Sequence, residues 1–192
     1  MKTVRFANPK YVGDPINAVK IFNEKEVDEL FVLDIDATVQ KRNPDYVMIK
    51  NLAAECRMPF CYGGGVKTVE QAEKIVSMGV EKVAISSSAI GDPRLVGGMA
   101  EVVGSQSVVV VIDVKTTGIS GRNEIFVQNG ARPTGRCPCE FAKEMEDLGA
   151  GEIVVNSIDN DGIMKGYDLP LLSQIRESVT VPITALGGAG RS

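Results

Sequence analysis

The sequence contains no histidine. Ser-His-Asp triads, Cys-His pairs and facial metal triads are therefore excluded, and proton transfer falls to Asp, Glu, Lys, Tyr or Cys. With no histidine to join them, the four cysteines, Cys56, Cys61, Cys137 and Cys139, could hold zinc only as an all-cysteine set at unusual spacings. Reduced thiols are the expectation, and neither a metal nor a cofactor is implied. No apolar stretch approaches the roughly 20 residues that a membrane helix needs. The formal charge of -4 leaves no basic footprint for nucleic acid. The opening residues Met1-Lys2-Thr3-Val4-Arg5-Phe6 lack the long apolar region of a signal peptide, so the cytoplasm is the expected compartment. These absences point to small molecules or another protein as partners.

What is present suffices for a core. At 192 residues, 44% hydrophobic and 24% charged, residues 1–192 read as a single domain. Short β-branched runs near 30–35, 59–62, 82–86, 107–113, 152–157 and 181–186 alternate with helical periods near 14–26, 45–56, 68–78, 92–102, 138–148 and 168–178. That alternation is the pattern of parallel βα units and predicts an α/β fold. Asp14-Pro15 and Asp92-Pro93 read as helix starts, the acid capping and the proline at the first helical position. Residues 115–135 are rich in turn formers and predict a small hairpin after the strand ending at Asp113.

Two glycine loops interrupt the pattern in the same way. PFCYGGGV begins at Pro59 and PITALGGA at Pro182, an offset of 123, and DELFVLDID and GEIVVNSID, beginning at Asp28 and Gly151, share it. Two blocks in one register predict an internal duplication, each copy half of a barrel. A (β/α)8 TIM barrel of about 250 residues would then be incomplete here, its first and last strands absent. Its open seam is expected beside the strands near 30–35 and 181–186.

The quoted stretches, together with YVGDPINA at 11–18, GSQSVVVVIDVK at 104–115, GARPTG at 130–135 and GAGEIVVNSIDNDGIMKGYD at 149–168, resemble the cyclase subunit of imidazole glycerol phosphate synthase, a two-fold repeated barrel of histidine biosynthesis. The resemblance implies a glutaminase partner that sends ammonia through the barrel. It also implies a bisphosphorylated ribulosyl aminoimidazole carboxamide as substrate, cleaved and cyclised to imidazole glycerol phosphate and aminoimidazole carboxamide ribotide. Gly64 and Gly65 with Ser86 and Ser87 would make one phosphate site, and Gly187 and Gly188 half of a second. Asp113, read from the residues alone, closes an apolar strand as a turn cap; the resemblance makes it one of two catalytic aspartates. Glu29, Lys82 and Glu152 would match three of four charged residues gating ammonia entry. Turnover is expected to require the absent strands as well.

The sequence departs from the cyclase pattern at Asp36, at Ser86-Ser87 and at Asn156. These departures resemble a paralogue branch found beside surface-polysaccharide genes, which implies a non-cyclising barrel that, with a glutaminase, passes ammonia to a separate sugar-amidating enzyme.

Overall fold

The computed structural model of the chain describes residues 2–10, 13–118 and 121–190. At the amino end, β1 (Lys2–Val4) and β2 (Ala7–Lys10) form an antiparallel hairpin turning at Arg5 and Phe6. Both turn residues have positive φ, 51° and 61°, as a two-residue turn matched to strand twist requires. Then follow α1 (Pro15–Glu24), β3 (Leu30–Leu33), α2 (Tyr46–Glu55), β4 (Phe60–Gly63), α3 (Val69–Val76), β5 (Lys82–Ile85), α4 (Ser87–Gly91) and α5 (Arg94–Val103). A 3-10 turn at Ser105–Ser107 leads into β6 (Val108–Thr117), β7 (Arg122–Val127), β8 (Arg132–Pro133), α6 (Pro138–Asp147), β9 (Glu152–Ser157), α7 (Leu169–Arg176) and β10 (Ile183–Leu186).

The expected capping holds at α1, where the Asp14 carboxylate accepts from the Ile16 and Asn17 N–H groups. At α5 the helix starts one residue later than expected. Pro93 is its cap, and the Asp92 carboxylate accepts from the Arg94 N–H. The hairpin expected in 115–135 is formed by the outer half of β6 with β7, and β8 pairs with β7. Residues 119–120 between β6 and β7, and Tyr11-Val12 of the first quoted motif, lie outside the described residues.

Six strands run parallel in the order β10-β9-β6-β5-β4-β3, so β3 and β10 are the edges among the described residues. The sheet is curled. Glu29, just before β3, and Glu152, at the start of β9, lie four strand spacings apart along it, which would be about 19 Å if it were flat. Both nevertheless reach the Lys82 ammonium, each at 2.8 Å. Side-chain alternation divides the core accordingly. On the concave face Cys61, Ala84, Val109, Val111 and Val154 pack with Phe31, Leu33 and Leu186. On the convex face Val108, Val110, Ile112, Ile153 and Val155 meet helix residues such as Ile75, Met99, Phe141 and Ile175. Each such buried aliphatic side chain contributes about 1.5–3 kcal/mol over its exposed state.

The sequence offset of 123 is also a structural one. Phe31 lies opposite Cys61 and Val154 opposite Thr184, so β3/β4 and β9/β10 share one register. Leu30 donates to the Pro59 carbonyl at 2.9 Å and Ile153 to the Pro182 carbonyl at 3.0 Å. Asp45 caps α2 through the Met48 N–H and Asp168 caps α7 through the Leu171 N–H. A Cβ at Gly64 would sit 2.5 Å from the Asp34 carbonyl, and one at Gly187 2.5 Å from the Ser157 carbonyl.

Candidate functional site

All six parallel strands point the same way, so their carboxyl ends share one rim. The loops after β4, β5, β9 and β10 and the outer part of β6 meet there, where α/β sheets keep their ligands. Asp113 faces the concave side, in step with Val109 and Val111. Its neighbour in the register is Asn156 on β9, whose Nδ2 donates to its Oδ1 at 2.9 Å. Desolvation raises the Asp113 pKa to about 6; the hydrogen bond from Asn156 works against that rise and the charge of Asp161 adds to it. A carboxyl group poised near neutrality can both take and give a proton.

The Gly64-Gly65 loop and the Ser86-Ser87 turn lie side by side on β4 and β5, held together by the Ser88 hydroxyl, which donates to the Val66 carbonyl at 2.8 Å. Gly64 and Gly65 have φ of 124° and 73°, and a Cβ at Gly65 would lie 2.9 Å from the Arg42 carbonyl. Backbone packing alone therefore accounts for glycine at both positions. What points to a ligand is the Ser86 hydroxyl, whose oxygen is buried and has no hydrogen-bond partner among the described residues.

Gly187 and Gly188 stand at the matching place after β10. The Gly188 carbonyl accepts from the Gly166 N–H at 2.8 Å, which joins this loop to the one after β9. That second loop is a node that the sequence did not reveal. Asp161 accepts from the Thr3 hydroxyl at 2.6 Å and the Phe6 N–H at 3.1 Å, pinning the β1–β2 hairpin to the rim. Asp159 accepts from the Thr116 N–H. Asp36 sits in the turn after β3, its N–H donating to Asp34, which also pairs with Arg42.

Glu29, Lys82 and Glu152 come together at the opposite rim. Burial works against the Lys82 charge, but hydrogen bonds and attraction from Glu152 and Glu29 outweigh it and carry the ammonium pKa up. Thr184, not foreseen, donates to Glu152 Oε1 at 2.6 Å. Next to Lys82, a surface depression of about 490 Å³ is lined by Val76, Gly79, Glu81, Gln106 and Ser107. Between the rims lies the small apolar cluster around Cys61. Burial first, then the Glu29 and Glu152 charges, push the Cys61 thiol well up, so it stays neutral. Among the described residues no group of three or more Cys, Asp and Glu is placed to hold a metal ion, and no helix is long and apolar enough to cross a membrane.

Over residues 1–192 the chain matches the family model described as histidine biosynthesis protein. It is 54% identical over 190 residues to a protein of Leptospira interrogans provisionally named imidazole glycerol phosphate synthase subunit HisF, a match covering 99% of this chain and 75% of that one. It is 55% identical over 190 residues to a protein of Vibrio vulnificus (strain YJ016) provisionally named imidazole glycerol phosphate synthase subunit hisF3, covering 99% and 73%. Identity is 42% over 190 residues to the imidazole glycerol phosphate synthase subunit HisF of Exiguobacterium sibiricum, covering 99% and 76%.

Proposed function

Since the chain belongs to the histidine biosynthesis protein family, we propose that it is the cyclase subunit of an imidazole glycerol phosphate synthase, built on a (β/α)8 barrel of two duplicated halves. One observation carries the reading. A single apolar interior joins a charged cluster at one rim to Asp113 and the paired glycine loops at the other. Ammonia is small and neutral and is suited to such a passage. In this reading a glutaminase subunit docks at the Glu29–Lys82–Glu152 rim, and ammonia passes Cys61, Ala84 and Val109 to reach the substrate. Asp113 acts as a general acid or base, its carboxyl titrating close to neutral pH. The N–H groups of Gly64 and Gly65 and the hydroxyls of Ser86 and Ser87 hold one phosphate, and Gly187 and Gly188 take part in holding the other.

A second reading, a non-cyclising barrel that conducts ammonia to a separate amidating enzyme, is favoured by one observation. The rim gathers Asp34, Asp36, Asp113, Asp159 and Asp161, and an unpaired carboxylate near a bisphosphate costs about 1 kcal/mol or more in a partly desolvated site. Two measurements separate the readings. Phosphate titration followed by amide shifts is expected to move residues 63–66 and 86–88 with millimolar affinity or weaker, and Gly65→Asp to abolish the effect. Ammonium-driven formation of aminoimidazole carboxamide ribotide by the complete gene product, lost in Asp113→Asn, supports cyclisation. No turnover despite phosphate binding would favour the conduit, and shifts confined to 187–190 would overturn the assignment of the first phosphate site.

A further inference from the structure

Asp113 and Asn156 face each other across neighbouring parallel strands, and both lie on the concave side by strict alternation from Val111 and Val154. The Asn156 Nδ2 lies 2.9 Å from Asp113 Oδ1 and is the only side-chain donor to that carboxylate among the described residues. An ionised carboxylate only accepts, so the amide must turn its NH2 group toward it. Its Oδ1 then faces Gly187, where a Cβ would come within 3.4 Å of it. The amide is thereby held at its nitrogen end by the carboxylate, with its oxygen on the side of the glycine loop.

The surrounding charges do not duplicate this contact. On β6, the Lys115 ammonium lies over the Phe126 ring, 5.7 Å from its centre. On β7, Glu124 is held by the Gly135 N–H and the Thr117 hydroxyl. From the loop after β9, Asp159 is held by the Thr116 N–H, and Asp161 by Thr3 and Phe6. β5 and β10 bring no titratable side chain to this rim, since Lys82 is at the other. Burial and the Asp161 charge both favour the neutral acid, and among the described residues the Asn156 amide is the neighbour that favours the ion.

We propose that Asn156 is the positioning residue for Asp113: its amide sets the plane of the carboxylate and leaves Oδ2 as the oxygen that exchanges the proton with a ligand. Its part in the reaction rests on the proposed function, whereas the contact itself can be read without turnover. The test is carboxyl-carbon NMR titration of Asp113 in the wild-type chain and in Asn156→Val and Asn156→Thr. The two replacements are nearly isosteric and both suit a strand, but only threonine can donate. The midpoint is expected to rise by about one unit in Asn156→Val and to return at least halfway in Asn156→Thr. Equal midpoints in all three proteins would overturn the assignment, as would equal rises in both variants. Should the valine variant not fold, Asn156→Ala against Asn156→Ser makes the same comparison. If the midpoints move as expected while the complete protein forms no product, the cyclase reading fails and the Asn156 contact stands.

Discussion

Replacing Lys82 by methionine removes one cation from between two carboxylates and keeps most of the aliphatic stem. Both partners lie 2.8 Å from the ammonium, with Lys82 and Glu29 about one-quarter exposed and Glu152 only 7% exposed. Exposed pairs are worth about 0–1 kcal/mol, whereas breaking a buried pair costs about 3–5 kcal/mol because a charge is left unpaired. This cluster lies between those limits, and two carboxylates are left facing each other, so a loss of about 3 kcal/mol at pH 7.5 is expected. For a domain of this size that lowers Tm by about 6–12 °C. The loss should depend on pH in a defined direction. In the variant two carboxylates face each other with no cation between them, and their repulsion is relieved when acid neutralises one of them, so the deficit is largest at neutral pH and shrinks as pH falls. Urea unfolding of both proteins at pH 7.5 and pH 4.5 is therefore expected to show a deficit at least halved at the lower pH. Adding Glu152→Gln should recover part of it at pH 7.5, although the Thr184 hydroxyl then donates to a neutral amide. A loss below about 1 kcal/mol that is the same at both pH values would refute the view that the cluster is held by charge.

Two further outcomes follow from single carboxylates. Asp113 titrates near 6 in the folded chain, above its unfolded value, so the stability linked to its protonation is present below about pH 4 and lost as pH rises through 6. Asp113→Asn should accordingly be about 2 kcal/mol more stable than wild type at pH 8 and no more stable near pH 4, as read by thermal melts across that range. Glu146 is the reverse case. The Thr180 hydroxyl and N–H at 2.6 and 2.7 Å, the Val181 N–H and Lys143 hold it at about 2, so its contribution is present above about pH 4.5 and lost as pH falls through 2. Glu146→Ala should destabilise by about 1–3 kcal/mol in urea at pH 7, because the Thr180 and Val181 donors lose their partner.

Alternation of types made much of this fold legible. Each apolar run near 30–35, 59–62, 82–86, 107–113, 152–157 and 181–186 falls on a parallel strand, and the edges among the described residues are the first and last of them. The β1–β2 hairpin was not legible: Lys2–Lys10 has no alternating apolar pattern and contains Pro9, and it is fixed instead by a rim aspartate more than 150 residues away. α4 was missed because Ser-Ser-Ala-Ile-Gly spells a turn, and a single helical turn forms there only in the setting of β5 and α5. Asp113 was legible as the residue closing a valine run. Asn156 stood out only as a departure from the cyclase pattern, although counting in twos from Glu152 through Val154 places it on the concave face beside Asp113. Thr184 was hidden for a different reason, since a lone threonine in a strand carries no signal until the register sets it against Glu152.

The curled sheet has a consequence for how copies of the chain would meet. Its two edges, β3 and β10, run in the same direction, and each presents one unpaired row of backbone groups among the described residues. If β10 of one copy continued the sheet along β3 of another, the contact would be heterologous, joining two different surfaces rather than one surface to itself. Such pairing closes into a ring when the rotation from copy to copy divides a full turn, in the simplest case two copies about a two-fold axis along the strands, and grows as an open chain when it does not. The curl of the sheet, which sets that rotation, thereby decides between a closed assembly and one whose length follows concentration.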